Sequence, residues 1–303
     1  MSGGLDGEGR SFTIVPRGPF SLEESATFGF GQRDGEAFDG VMRLAFCLDG
    51  YRDQVGVEVR QEAGGVCGIV TGEGDLQAVE RQVARVLSLD HDGNDFLRVG
   101  QRDPVMSRLQ AAAPGLRPPL FYSPYEAAVW SVLSARRPAR QMAEVRRRLS
   151  ETYGRVFDLA GQRLAAFPAP DAMLTVESFA GLPQEKIDRL QGVARAALNG
   201  QLDVERVRAM DPDEAMADLQ TIKGIGPFYS ALIVIRASGH ADVLPTNEPK
   251  VLELAARLYG LSRPPTPAGF ETMALPWRPF RTWAAVFLRV AGPRLLAAAE
   301  AGN

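Results

Sequence analysis

The chain has 303 residues, of which 45% are hydrophobic and 23% are charged. This composition is that of an ordinary globular protein and excludes a disordered or fibrous one, while the length allows two or three domains. No run of about 18 apolar residues occurs, so we expect no membrane span. The first ten residues are Gly-rich and acidic and have no apolar signal core, which predicts a cytoplasmic protein.

The formal net charge is −3 at pH 7, which argues mildly against a nucleic-acid partner because Lys and Arg dominate phosphate binding. Arginine runs within residues 136–140 and 146–148 could still form a local basic patch, although such runs more often belong to a solvated helix face. The two cysteines, Cys47 and Cys67, are too few for a four-cysteine metal cluster. Both lie in apolar runs that are typical of small buried residues.

Short alternating or apolar runs in the first quarter of the chain predict β-strands. They cover residues 11–15, 41–48, 55–60 and 66–71, with Asp-Gly and Gly-Gly turn signals between them. Apolar residues then recur at helical spacing between residues 75 and 89. These elements predict a small antiparallel sheet with at least one helix packed on it.

From residue 103 onward, periodic segments interrupted by Pro and Gly predict helices. The predicted helices cover residues 104–112, 124–133, 140–153, 184–199, 213–222, 227–238, 249–259 and 281–291. We therefore expect an α+β protein in which an N-terminal sheet domain, residues 1–102, is followed by an all-helical domain, residues 103–303.

A tight turn joins two of these predicted helices in the run Lys223-Gly224-Ile225-Gly226. Glycine lets the backbone turn sharply and approach a ligand closely. The backbone N–H groups at the start of the following helix would point outward at a positive helix end, which suits an anion such as a phosphate. A Gly-x-Gly turn between helices is also common as a plain connection, so these residues alone do not decide.

The wider sequence resembles the DNA-3-methyladenine glycosylase II branch of the helix-hairpin-helix/GPD base-excision glycosylases. Matching motifs occur in order at residues 115–119, 123–127, 181–184, 219–228, 242–248 and 277–285. The resemblance covers residues 103–293 well. It extends loosely to the N-terminal sheet, which it implies to be like that of the TATA-binding protein.

In that family the hairpin holds the DNA backbone and the damaged nucleotide is flipped into a pocket between the helical halves. The resemblance therefore implies duplex DNA as the partner. It places the backbone contacts at Lys223, Gly224, Ile225, Gly226 and Phe228. Lys223 precedes the hairpin and either contacts phosphate or is simply solvated, and the sequence leaves both open. The reaction it implies is hydrolytic excision of an alkylated purine in base-excision repair.

The catalytic carboxylate of the family stabilises the positive charge that develops on the sugar. The position of the family's aspartate is occupied here by Glu248, at the predicted N-terminus of a helix, where an anion also complements the helix dipole. Glutamate carries its carboxylate about 1.5 Å further out than aspartate. The alternative is therefore a DNA-binding or damage-recognition protein with weak or lost glycosylase activity.

Two absences narrow the class. Lyase-competent relatives form a Schiff base through a lysine two residues after the hairpin, and this chain has Phe228 at that position. The four-cysteine iron–sulfur motif of the endonuclease III-like branch is also absent. A monofunctional glycosylase is predicted.

The resemblance places Phe228, Leu232 and Arg289 at the base pocket and Arg136 at the wedge that fills the vacated stack. Tyr125 is a further aromatic candidate for the pocket, although an aromatic residue in a helix is more often part of the core. Alkylated purines are cations that favour aromatic faces, so a guanidinium at Arg289 would repel them. Arg136 either fills the gap left by the flipped base or binds phosphate, and the sequence leaves both open. A different lesion, such as hypoxanthine or a crosslink adduct, is the alternative substrate.

No cofactor is expected beyond a monovalent cation at the hairpin. The resemblance implies that the backbone carbonyls of Gln220, Ile222 and Ile225 hold it. His91 and His240 are isolated and lack metal-ligand spacing. We expect no membrane and no protein partner, and a monomer that associates with the nucleoid through DNA.

Overall fold

The computed structural model describes residues 10–28 and 37–301. Four strands form the N-terminal sheet: β1 (Arg10–Ile14), β2 (Met42–Cys47), β3 (Gln54–Glu62) and β4 (Gly65–Thr71). Their spatial order is β1-β4-β3-β2, and each neighbouring pair is antiparallel. All four predicted strands are present, with ends shifted by one or two residues.

Two helices accompany the sheet: α1 (Leu22–Thr27), which the sequence did not indicate, and α2 (Leu76–Val86). The side chain of Asp75 begins α2 because it accepts the backbone N–H of Ala78 at 2.8 Å. Fully buried valines of α2 and β3 belong to one apolar core between helix and sheet. These are Val55, Val57, Val59, Val79, Val83 and Val86.

Twelve further helices follow in the described part of the chain. They are α3 (Gly93–Arg102), α4 (Pro104–Ala112), α5 (Pro124–Ser134), α6 (Ala139–Tyr153), α7 (Pro170–Leu174), α8 (Gln184–Leu198), α9 (Val204–Ala209), α10 (Pro212–Leu219), α11 (Pro227–Ala237), α12 (Pro249–Tyr259), α13 (Pro267–Met273) and α14 (Arg281–Ala301). Seven of them begin with proline, whose fixed φ suits the first helical position. Four of these starts, at residues 104, 124, 227 and 249, were predicted, whereas the short helices α7 and α13 were not. Among the described residues, no helix is both long and apolar enough to cross a bilayer.

The helices enclose two apolar cores. The first helical core is built mainly from α5, α6, α8, α10 and α11. The second helical core is built mainly from α3, α4, α12 and α14. Because α11 belongs to one and α12 to the other, residues 238–248 connect the two cores.

The helical region contains a two-stranded hairpin, β5 (Val156–Leu159) and β6 (Gln162–Ala165), so the expectation of an all-helical region was wrong in this detail. The hairpin packs on β2 and β3 of the N-terminal sheet. Gly56 in β3 makes room for it, since a Cβ there would lie 2.8 Å from Cγ of Phe157. The predicted α+β fold, a small antiparallel sheet followed by a helical region, is confirmed.

The predicted division at residues 102 and 103 stays a prediction. Helix α3 precedes that point, yet its Phe96 and Val99 lie in the second helical core. Hairpin β5–β6 follows it, yet the hairpin packs on the N-terminal sheet. Both features make the contact between the two halves of the protein extensive.

Arg117 holds these halves together from a position that is 1% exposed. Its Nε donates to the carbonyl of Pro19 at 3.1 Å, and its Nη1 donates to the carbonyls of Ser88 at 3.1 Å and His91 at 3.0 Å. Burial lowers the pKa of the guanidinium to about 10, so it remains charged at neutral pH. One side chain thus satisfies carbonyls from several loops of the N-terminal half.

We expect Arg117→Met to lower the free energy of unfolding by about 3 kcal/mol, because it leaves buried carbonyls without donors. Urea denaturation followed by circular dichroism measures the loss. Arg98→Met, which removes an exposed arginine that is paired with Asp95 on α3, is the matched control and should change stability by less than about 0.5 kcal/mol. Equal losses from the two variants would contradict a structural role for Arg117.

Candidate nucleic-acid interface and catalytic carboxylate

The turn between α10 and α11 presents its backbone to solvent while its two isoleucines point inward. Ile222 and Ile225 are 6% and 4% exposed and belong to the first helical core. The N–H of Ile225 donates to the carbonyl of Ile222 at 3.0 Å, which closes the turn. Lys223 between them is exposed. The apolar side chains therefore fix the turn and leave its polar backbone outward.

The two glycines of this turn differ in what they require. Gly224 has φ +103°, a conformation that side chains disfavour, and a Cβ there would lie 3.1 Å from Cδ of Arg189. Gly226 has an extended backbone, with φ −97°, and open space around its Cα. Gly226 is the N-cap of α11 and provides no side chain for capping. The first-turn N–H groups of α11 are thus available to an external anion.

One face of α11 leads away from this turn. Phe228, Leu232 and Arg236 follow at intervals of four residues, so they lie on the same face over two turns, about 12 Å. Phe228 is 61% exposed and meets the ring of Tyr229 edge-on, whereas Leu232 is half-buried. Arg236 lies at the far end of the face. This face of α11 connects the glycine turn with the charged groups around Glu248.

Glu248 is the N-cap residue of α12, but its side chain makes no capping hydrogen bond. Its Oε1 instead accepts a hydrogen bond from Nη1 of Arg289 on α14. The Glu248 side chain is 29% exposed and that of Arg289 is 43% exposed. The predicted catalytic and pocket residues are therefore in direct contact, as an ion pair that the sequence did not reveal.

Arg236 is a second cation near this pair, and the sequence analysis did not identify it. Its Nη2 donates to the carbonyl of Pro119 at 2.7 Å, and its guanidinium lies 4.7 Å from the ring centroid of Phe28. Burial lowers the pKa of Arg236 to about 10, with Glu248 acting in the opposite direction. The only sequence signal was an arginine on the otherwise apolar helix α11. Glu248 is thus paired with one guanidinium and interacts electrostatically with a second.

Asp242, the other carboxylate of the segment, has a structural role. Its side chain accepts two hydrogen bonds from Arg281, from Nε at 2.9 Å and from Nη2 at 3.0 Å. It also accepts the backbone N–H of Arg281, the first residue of α14, at 3.2 Å. Asp242 therefore ties the segment before α12 to the start of α14, and Glu248 remains the candidate for chemistry.

Tyr125 does not fit its predicted place in a base pocket. It is completely buried in the first helical core, where its hydroxyl donates to the carbonyl of Pro168 at 3.0 Å. Its ring packs against Phe167 and Tyr51. Its position on α5, with apolar neighbours on every side, explains the burial.

Arg136 lies in the loop after α5 and is exposed. Its φ is +56°, which is uncommon for a residue other than glycine. The hydroxyl of Ser134, the last residue of α5, lies 3.3 Å from the hydroxyl of Tyr229 on α11. This loop therefore lies beside the first turn of the helix that follows the hairpin.

Comparisons with known proteins agree with this arrangement. No family model matches the chain. The DNA-3-methyladenine glycosylase of Bacillus subtilis is 22% identical over 216 residues, which are 70% of this chain and 71% of that protein. Across curated relatives that match, the aligned part covers from 42% to 90% of the relative's own length.

Solved structures show the same fold. The 3-methyladenine DNA glycosylase of Archaeoglobus fulgidus superposes with a TM-score of 0.74 at 19% identity, over 94% of this chain and 98% of that one. The chain therefore has the fold of these DNA glycosylases, and its sequence is similar to those of the DNA-3-methyladenine glycosylases. The predicted resemblance to the helix-hairpin-helix/GPD glycosylases and the predicted enzyme class, a hydrolase of N-glycosyl bonds, are confirmed.

Another solved structure shows a similar fold together with a nucleic acid. The 3-methyladenine DNA glycosylase Mag1 of Schizosaccharomyces pombe, in complex with abasic DNA, superposes with a TM-score of 0.50 at 24% identity. The superposition covers 63% of this chain and 93% of Mag1.

The two hairpin glycines should respond differently to alanine. Gly224→Ala should lower the free energy of unfolding by about 1–3 kcal/mol, because it forces a side chain into the left-handed region against Arg189. Gly226→Ala should change it by less than about 1 kcal/mol, because its backbone is extended and its Cβ is unopposed. Parallel urea titrations measure both. A larger loss from Gly226→Ala than from Gly224→Ala would contradict the described turn.

Proposed function

We propose that this protein is a monofunctional DNA glycosylase that removes a damaged, alkylated purine from duplex DNA in base-excision repair. The observation that carries the proposal is the geometry of α11. At one end of this helix a glycine turn exposes backbone N–H groups, and about two turns away Arg236 lies near the carboxylate of Glu248. One rigid element thereby connects a phosphate-binding end with a candidate catalytic group.

The DNA backbone would be held at the hairpin through Lys223 and the N–H groups that follow Gly224 and Gly226. The carbonyls of Gln220, Ile222 and Ile225 would hold a monovalent cation that bridges to a phosphate. Neutral carbonyl oxygens are suitable ligands for such a cation. The Ile222 carbonyl already accepts the N–H of Ile225, so it would contribute its second lone pair.

Glu248 would stabilise the sugar as the bond to the base breaks. The base leaves with the electron pair of that bond, positive charge develops on the sugar, and water adds to the anomeric carbon. Phe228 and Leu232, which share one face of α11, would contact the flipped base. Arg289 would hold the longer glutamate side chain in a fixed orientation, which compensates for its extra carbon–carbon bond.

The ion pair between Glu248 and Arg289 also favours a second candidate function, a damage-recognition protein with little catalysis. A carboxylate that is already paired with a guanidinium attracts a developing cation less strongly. Arg236 adds a further positive charge nearby. These charges also oppose a cationic base, so uncharged lesions such as hypoxanthine or a crosslink adduct belong in any substrate panel.

We expect Glu248→Gln to lower the single-turnover rate of base release by at least about 100-fold, because it removes the negative charge that would stabilise the sugar cation. Release of 3-methyladenine, 7-methylguanine and hypoxanthine from duplex DNA measures it. Glu253→Gln is the matched control, since Glu253 is exposed on the same helix α12. Its rate should equal that of the unmodified protein.

Two results would separate the alternatives. Unchanged release by Glu248→Gln would remove Glu248 from the mechanism. Tight binding of damaged duplex by the unmodified protein, with no release from any of the substrates, would establish damage recognition without catalysis.

The monofunctional class makes a prediction about the product. Because Phe228 provides no amine at the lyase position, we expect no Schiff base with the sugar. Sodium borohydride added during turnover should therefore trap no covalent protein–DNA adduct. The product strand should stay intact until it is treated with hot alkali. A trapped adduct would show that a lysine at a different position acts as nucleophile. The lysines of the chain are Lys186, Lys223 and Lys250.

A further inference from the structure

A buried lysine on α8 caps the C-terminal end of helix α5. Lys186, in the first turn of α8, is 8% exposed. Its Nζ donates to the carbonyls of Val132 at 2.6 Å, Leu133 at 2.7 Å and Ala135 at 3.2 Å. An ammonium group has three N–H donors, and the last carbonyls of a helix have no partner within the helix. Lys186 therefore uses its whole donor capacity on the end of one helix.

This contact determines the shape of the loop that follows, residues 134–137, which we call the α5 corner. Ala135 donates its N–H to the carbonyl of Ser131 and presents its own carbonyl to Lys186. Arg136 then adopts a left-handed conformation. Arg137 donates its N–H to the carbonyl of Ser134 at 3.1 Å. A strained conformation of this kind persists only where surrounding contacts impose it.

The same turns of α8 also pack against the glycine turn between α10 and α11. The side chain of Arg189, one turn after Lys186, lies against Gly224. Burial and the positive charges of Arg137 and Arg189 lower the pKa of Lys186. The α5 corner and the glycine turn therefore both contact the first two turns of α8.

The arginines along this stretch of sequence divide into two groups. Arg146, Arg147 and Arg148 of α6 form ion pairs with glutamates of the same chain. Within the described residues, Arg136, Arg137 and Arg140 have no carboxylate partner, and all three are exposed. The positive charge that is left for an external anion is therefore concentrated at the α5 corner and the first turn of α6.

We propose that Lys186 is a positioning residue that holds the α5 corner so that Arg136 enters the stack where a nucleotide is flipped out. This proposal rests on the proposed function, since it requires a protein that flips nucleotides. Lys186 itself does not contact the DNA. Its effect is transmitted through the three carbonyls, which fix the direction in which Arg136 leaves the protein surface.

The test uses the full chain and a duplex with 2-aminopurine beside a tetrahydrofuran abasic-site analogue. Binding of the unmodified protein should raise the fluorescence several-fold as the neighbouring base unstacks. Arg136→Ala and Lys186→Met should each reduce that rise at least three-fold at saturating protein. The double variant should be no worse than either single variant, because both changes remove the same insertion.

Arg195→Met is the matched control, because it removes one positive charge from an exposed position on the same helix α8. It should leave the fluorescence at saturation unchanged. Circular dichroism checks that each variant is folded. Should Lys186→Met not fold, Lys186→Gln, which keeps N–H donors at that position, replaces it and should give a smaller reduction.

The outcomes separate this proposal from the function on which it rests. No rise in fluorescence with the unmodified protein would overturn the flipping function itself. A normal rise in Lys186→Met would overturn the positioning role alone. A third outcome concerns Arg136→Ala. If this variant binds DNA more weakly and with a smaller salt dependence, but still gives the full rise in fluorescence at saturation, then Arg136 contacts a phosphate and does not insert into the stack. That result would also overturn the proposal.

Discussion

The burial of Ile222 and Ile225 is the contact on which the rest of the site depends. These two side chains hold a turn of nearly bare backbone at the surface, so that its N–H groups remain free for a phosphate. The same turn begins α11, whose following two turns bring Arg236 near Glu248. The distance between the glycine turn and Glu248 therefore depends on α11 and on the apolar contacts that orient this helix.

The sequence predicted features that are local along the chain. Prolines mark helix starts, glycines mark the hairpin, and the spacing from Gly226 to Glu248 follows from the family resemblance. The ion pair of Glu248 with Arg289 joins residues 41 positions apart, and no local pattern reports such a contact. The role of Lys186 likewise depends on its contact with the end of α5, and its local sequence is that of an ordinary lysine in a first helical turn.

Tyr125 and the arginine runs show a related limit. An aromatic residue in a helix can line a pocket or fill a core, and only the packing of α5 among its neighbours decides this. Neighbouring arginines can be neutralised within the protein or left free, depending on which glutamates fold back on them. Net charge, −3 for the whole chain, therefore conceals a local excess of positive charge at the α5 corner.

The hairpin β5–β6 limits how the protein can be divided into fragments that fold independently. Phe157 and Leu159, which are 3% and 0% exposed, belong to the helical half of the sequence but are covered by the sheet. A fragment that begins at residue 103 would present them to water and become prone to aggregation. Recombination that exchanged the sheet for an unrelated module would have to provide new cover, so the two halves are expected to be inherited together.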